Sequence, residues 1–271
     1  MLSIDEKRVY ADREGAIEAF VASETGVCRV RVADDLVGEF DLVNREPARD
    51  LAGGPGALAV ATDEDVLVAD PVHEDEPAFE PTGFGPAVAV GYVDGRPLAA
   101  GPDGRLARHD DGWDELAELE GPVAAIDGEL IATDGGLFRL RGTTLRNAGL
   151  SAVRDVSVPG TPLAATGDGL YRLGNGWLCD REGPFDVVAA DPRSEPGRLE
   201  RAHAAAGPTL YAFADGEWGE CLEVGAPIAD VAYGETVYAV TADGTFLAGD
   251  GWRSRHLGIR DVGGCVVPAR G

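Results

Sequence analysis

The apolar residues of this chain fall in short runs that alternate with period two and stop at Asp-Gly or Gly-Asp. Ala57-Leu58-Ala59-Val60-Ala61-Thr62 and Glu129-Leu130-Ile131-Ala132-Thr133 are typical. Turns at Asp63-Glu64-Asp65 and Asp134-Gly135 follow, and then second runs, Val66-Leu67-Val68 and Leu137-Phe138-Arg139-Leu140. Short apolar runs bounded by turn dipeptides predict β-hairpins. Two segments, Ala11 to Val21 and Trp113 to Glu120, are also compatible with a helix. The second occupies a phase filled elsewhere by an outer strand, so it is read as strand.

The hairpins recur. Pro97 to Gly104 runs on to Gly112-Trp113, Pro162 to Gly169 to Gly176-Trp177, and Val237 to Gly244 to Gly251-Trp252. A degenerate copy passes Leu210-Tyr211-Ala212-Phe213 and ends at Glu217-Trp218, so all four tryptophans share one phase. Upstream of the hairpins lies a second column: Arg49-Asp50-Leu51, Arg154-Asp155-Val156, Phe185-Asp186-Val187, Ala229-Asp230-Val231 and Arg260-Asp261-Val262, with Val88-Ala89-Val90 and Val123-Ala124-Ala125 in the same phase. Each of these seven first strands leads into a hairpin and a fourth strand, except the last, which meets the chain end.

Seven four-stranded units of roughly 30–42 residues predict an all-β propeller forming one domain over residues 1–271. The units are 46–84, 85–120, 121–150, 151–183, 184–225 and 226–258. The seventh combines both ends: Ile259 to Val267 supplies its inner strand, and the N-terminal segment to about Asn44 its outer strands. Such pairing leaves no open sheet edge. Arg8 to Glu14 reads as one strand too many, which keeps six or eight blades open. A β-solenoid fits less well, because the repeat is long and built of hairpins. A blade must pack on its neighbours to bury its faces. The phased tryptophans are therefore expected in the seams between blades, and carbohydrate stacking is the weaker reading.

Composition adds a habitat. The 271 residues include 38 Gly and 17 Pro, spread out as many tight turns require, and 44% hydrophobic residues, enough for a core. The net charge is −25, and Lys7 is the lone lysine among 23 basic residues. The acid excess runs through every segment. An acidic surface could attract a basic partner or mimic nucleic acid. The better reading is adaptation to molar salt, where the Debye length is roughly 3 Å and self-repulsion is screened. The start of the chain shows no signal-peptide pattern, and no apolar stretch is long enough for a transmembrane helix. A cytoplasmic, monomeric protein is expected. Cys28, Cys179, Cys221 and Cys265 show no C-x-x-C spacing and are expected reduced, with a Cys28–Cys265 disulfide across the N/C junction as the less favoured alternative.

The pattern Leu-Tyr-Ala-x-Thr-x-Asp-Gly-x-Leu-x-Arg, followed by Asp-Gly-x-Trp, resembles BNR/Asp-box propellers, among them sialidase-like domains and the photosystem II assembly propeller. The stretch Val187 to Pro192 through Pro196-Gly197-Arg198-Leu199 resembles the segment that opens such repeats. Over nearly its whole length, including Ile4-Asp5-Glu6-Lys7-Arg8-Val9-Tyr10, the chain is similar to an uncharacterised β-propeller family of haloarchaea. That likeness implies the fold and the habitat and carries no assigned activity.

Candidate chemistry is sparse. A sialidase-type site needs clustered arginines and a Tyr/Glu pair. Arg49, Arg154 and Arg260, each directly before Asp50, Asp155 and Asp261, are the phased arginines and the candidate ligand or anion site. The structural alternative has each Asp bonding backbone amides at the inner rim of a blade. His73, His109, His203 and His256 form no metal motif, and His109 beside Asp110 and Asp111 is the best single ligand among them. Asp63, Asp103, Asp134, Asp168 and Asp243 could form a calcium-binding ring, but Asp-Gly is also a standard turn dipeptide. No nucleophile elbow, phosphate loop or dinucleotide fingerprint is present, and no basic patch speaks for nucleic acid. No catalytic residue, metal or cofactor is assigned. The expectation is a non-catalytic scaffold with a protein partner; the alternative is a small-ligand binder or hydrolase, lactonase- or sialidase-like, with its site at the channel mouth.

Overall fold

The computed structural model describes residues 17–33 and 35–269. They form seven four-stranded antiparallel sheets arranged as a propeller. The inner strands are Ala48–Gly53, Ala89–Val93, Val123–Asp127, Val153–Ser157, Val187–Ala190, Ile228–Tyr233 and Gly264–Val266, and they define blades 1 to 7. Blade 7 closes the ring: Gly264–Val266 pairs with Ile17–Ser23, which pairs with Gly26–Ala33 and then Leu36–Asn44. The extra strand expected at Arg8 to Glu14 lies outside the described residues. The helix-compatible segment is strand from Ile17 onward, and Trp113–Glu118 is strand as well.

Burial explains the sequence pattern. Second strands such as Leu58–Thr62, Leu163–Thr166 and Val237–Thr241 are buried throughout, because neighbouring blades cover both faces. Outer strands face solvent, as in the fully exposed Arg253–His256. The threonine closing the second strand is a turn device. The hydroxyls of Thr62 and Thr133 each donate to the carbonyl three residues on, at 2.8 Å, and those of Thr166 and Thr241 reach the carboxylates of Asp168 and Asp243 at 2.6 and 2.5 Å. Asp63 is held instead by Arg49. These three turn carboxylates are thus engaged within their own turns or rims.

The core is seven hydrophobic clusters, one at each seam. Every tryptophan reaches back to the preceding blade. The indole N–H of Trp113 donates to Thr82 Oγ1 at 3.2 Å, that of Trp177 to the Ala148 carbonyl at 2.9 Å, and that of Trp218 to Asp180 Oδ2 at 3.1 Å. Trp252 packs edge-on against His203 of blade 5, with ring centroids 5.7 Å apart. Blade 3 lacks a tryptophan; Phe138, Leu116 and Leu145 close its seam with blade 2.

The last inner strand is shorter than the sequence suggests. Residues 259–263 are not strand, Asp261 has φ 49°, and only Gly264–Val266 pairs. The chain must pass close to blade 1 here: a Cβ on Gly263 would lie 2.0 Å from the Arg49 carbonyl oxygen. Cys28 and Cys265 both face Val21 from opposite sides. Two strand spacings, about 9.6 Å, separate them, beyond disulfide reach. All four cysteines are free thiols. Among the described residues no helix is long and apolar enough to cross a membrane.

Candidate functional site at the channel mouth

The inner strands of blades 1, 3, 4 and 6 each carry a β-bulge, at Arg49, Ala124, Arg154 and Ala229. A bulge adds one residue and re-aims the next side chain. In blades 1, 4 and 6 that next residue is aspartate, and Asp50, Asp155 and Asp230 turn into the central channel, a cavity of about 320 Å³. Each clips two blades together. Asp50 accepts the N–H groups of Leu51 and, in blade 2, Val90, at 2.8 and 2.9 Å. Asp155 accepts those of Val156 and Val188, both at 2.8 Å, and Asp230 those of Val231 and Cys265, at 2.7 and 2.6 Å. Asp127 of blade 3 accepts the N–H of Val158 at 2.7 Å.

These carboxylates line the channel cavity, yet protein surrounds them. Loss of bulk hydration, together with the charge of the other aspartates, raises Asp50 and Asp230 to about 7 and Asp155 well above the ordinary range. Desolvation also raises Asp127. The bonds from backbone amides act the other way and do not prevail.

The candidate residues from the sequence thus separate. Asp50 and Asp155 meet in the channel, joined by Asp230 and Asp127. The bulged arginines point to the rim at the start of the inner strands. Arg49 grips Asp63 with two bonds, at 2.8 and 2.6 Å, and Arg154 pairs with Asp186 at 2.6 Å. Arg260 and Asp261 lie on the exposed loop before blade 7, not in the ring. His109 packs on Trp113 at 5.0 Å between centroids. Among the described residues, no three His, Cys, Asp or Glu side chains are grouped so as to hold a metal ion.

Where the inner strands end, the channel opens into a groove of about 550 Å³. Gly53, Gly54, Pro55, Pro192, Val267 and Pro268 form its apolar floor, and Glu18, His73, Tyr233 and Glu235 stand around it. A second groove of about 650 Å³, lined by Asp127, Glu129, Pro159 and Pro162, shares Pro192 with the first. Glu18 is anchored from three sides, by Arg29 at 3.6 Å, Arg31 at 3.5 Å and His73 Nδ1 at 3.0 Å. Arg29 is buried, bonds Asp41, and donates to the carbonyls of Glu74 and Asp75, so it ties the long loop of blade 1 to blade 7. His73 Nε2 is buried without a partner among the described residues. Beside the groove, the Tyr233 hydroxyl meets His203 Nδ1 at 2.6 Å, and burial lowers His203 to about 4, leaving it neutral.

Sequence reasoning did not reach Glu18, Tyr233 or Glu235, and it met His73 only as a scattered histidine and Pro192 only as part of a repeat-opening segment. They come from blades 1, 5, 6 and 7, and no spacing links them. The signal that was present is the column position of Asp230, which shares the phase of Asp50 and Asp155 but lacks a preceding arginine.

A closed ring of seven blades around an acidic channel defines the class: a seven-bladed β-propeller. The chain belongs to the HVO_0234-like β-propeller family, whose model, described as "Beta-prop_HVO_0234:-like, beta propeller", matches residues 3–268. The family takes its name from a haloarchaeal protein. Among solved structures, the WD40 β-propeller domain of Doa1 is similar at a TM-score of 0.63 and 12% identity, over 86% of this chain and 86% of that one. U3-55K is similar at 0.65 and 12%, over 93% and 91%. At such identity the likeness is one of fold. No curated protein sequence gives a significant match.

Proposed function

We propose that this propeller is a protein-interaction scaffold of a salt-adapted cell, and that it engages its partner through the face where the inner strands end. The observation that carries this reading is the pair of grooves meeting at Pro192 across the channel mouth. Their floor is rich in proline and glycine, on loops fixed by rigid blades, a setting in which binding surfaces commonly reside. The channel aspartates are already engaged with backbone amides, which suits a structural ring better than an acid–base pair. The charge of −25 with a single lysine supports the salt-adapted setting.

The test is comparative capture from native high-salt lysate followed by crosslink mapping. Pro192→Trp fills the groove at an exposed position; Glu64→Trp places the same bulk on an exposed turn of the opposite face. Capture of a stoichiometric partner by wild type and Glu64→Trp, lost with Pro192→Trp and crosslinked around the mouth, is the expected result. Retention by Pro192→Trp would reject this face.

A further inference from the structure

Resting on that interaction reading, we propose that the channel mouth docks an extended, arginine-bearing segment of the partner, with the guanidinium entering the channel over the aspartates. Three features on this face converge. The first is shape: two grooves run into one another at Pro192, directly over the channel, so an extended chain can lie across both and drop one side chain between them.

The second is the missing donor. Pro55, Pro159, Pro192 and Pro268 carry no backbone N–H, so this surface is poor in hydrogen-bond donors. Its flat apolar patches suit the methylene stem of a long side chain whose charged head lies beyond.

The third is charge. The ionisable side chains that turn toward the mouth and channel are mostly carboxylates: Glu18, Glu235, Asp50, Asp127, Asp155 and Asp230. Nearby arginines are spent on other partners, Arg29 and Arg31 on Glu18 and Asp41, and Arg139 on Glu129. Glu235 is exposed, and Arg193, the cation whose charge reaches it, is held by Asp191 at 2.7 Å. Glu235 brings charge at the mouth, and a nearby cation favours the ionised form of Asp50 and Asp230, which burial and like charge hold at about 7. Such a surface selects an occupant that brings donors and positive charge. Guanidinium fits best, since it has five N–H groups, no acceptor, and weaker hydration than ammonium, so it enters a narrow channel at lower desolvation cost.

The experiment uses the full chain and two capped peptides, Gly-Ala-Arg-Ala-Gly and the same sequence with citrulline, which keeps the shape and loses the charge. Each is titrated calorimetrically into wild type, Glu235→Arg and Glu64→Arg, in a salt concentration at which circular dichroism shows all three folded. Both substituted residues are exposed, so the fold is preserved. The arginine peptide should bind at least tenfold more tightly than the citrulline peptide. Glu235→Arg should lose most of that preference, and Glu64→Arg should keep it. Equal affinity for the two peptides, no binding of either, or an undiminished preference in Glu235→Arg would overturn the arginine site. So would concentration-dependent dimers in sedimentation that vanish with Pro192→Trp, which would make a second copy the occupant. Partner capture that depends on Pro192 while the peptides fail leaves the face reading standing and removes only the arginine. Capture indifferent to Pro192 removes both.

Discussion

At the residue scale, the channel aspartates set two effects against each other. Asp50, Asp155 and Asp230 each accept two backbone N–H groups and so join one inner strand to the next blade, but each also loses hydration and faces like charge. Asp155→Ala would leave the amides of Val156 and Val188 unpaired, and a buried unpaired donor costs about 1–3 kcal/mol. A net loss of roughly 2–4 kcal/mol in denaturant unfolding is expected, after partial relief of repulsion. The pH dependence has a definite sign. Asp50 and Asp230 titrate at about 7 in the fold, above the ordinary value, so the folded chain keeps protons that the unfolded chain has released. Their contribution to stability is full below about 4 and is lost as pH rises through about 7. Asp63, Asp191 and Asp243 are lowered and lose their contribution only in stronger acid. Stability at fixed salt should therefore fall by a few kcal/mol between pH 5 and pH 8, after a discount for solvent screening. A flat or rising profile would show that the channel leaves these groups hydrated. The tryptophans give a cleaner contrast. Trp218, 8% exposed between blades 4 and 5, should cost about 3–5 kcal/mol on truncation to alanine. Leu178, in the outer strand of blade 4 and 53% exposed, should cost less than about 0.5 kcal/mol.

At the scale of elements, the ring depends on a strand of three residues. Gly264–Val266 pairs with Ile17–Ser23, receives the clip from Asp230, and contributes Cys265 and Val266 to the seams on either side of blade 7. Deleting residues 264–271 should leave an unpaired edge, broaden thermal unfolding and open the chain to protease near blades 6 and 7. A synthetic peptide of residues 259–271 supplied in trans should restore protection; failure to do so would mean the strand is not the closing element. This closure was legible in the sequence, as were the blade number and the seam position of the tryptophans, because all three follow from repeat phase. The column Arg-Asp was legible only in part. Its physical cause is a bulge, which tolerates Arg49, Arg154, Ala124 or Ala229 alike, so the arginine was incidental and the following residue carried the meaning. Asp261 copies the letters without the bulge, in a loop that must clear the Arg49 carbonyl. The mouth was not legible at all. Loops from four blades meet there only after the ring closes, and no local pattern anticipates which side chains become neighbours.

At the scale of the molecule, the outstanding term is a charge of −25 spread over a closed ring. Exposed carboxylates crowd the outer strands, as at Asp114, Glu115 and Glu118 of blade 2 and Glu217, Glu220 and Glu223 of blade 5. Few exposed ion pairs offset them, and each such pair contributes little, about 0–1 kcal/mol. Repulsion among like charges acts over the Debye length, about 10 Å at 0.1 M salt and 3 Å at 1 M, so adding KCl should remove most of it within that range. The midpoint of thermal unfolding is expected to climb steeply up to about 1 M and then flatten. Salting-out of apolar surface also stabilises, but it continues to rise with concentration and is stronger for sulfate than for chloride. Comparing the two salts at equal ionic strength separates the causes: screening makes them equivalent, and exclusion favours sulfate. A second route to the same relief is chemical. Replacing the six carboxylates named above by their amides lowers the negative charge without touching a seam, and should shift the KCl dependence to lower concentration. If the midpoint of the amide variant responds to KCl as wild type does, the acidity of the outer rim is not what ties this fold to salt, and the burden passes to the channel aspartates, whose protonation at pH 5 should then abolish the dependence.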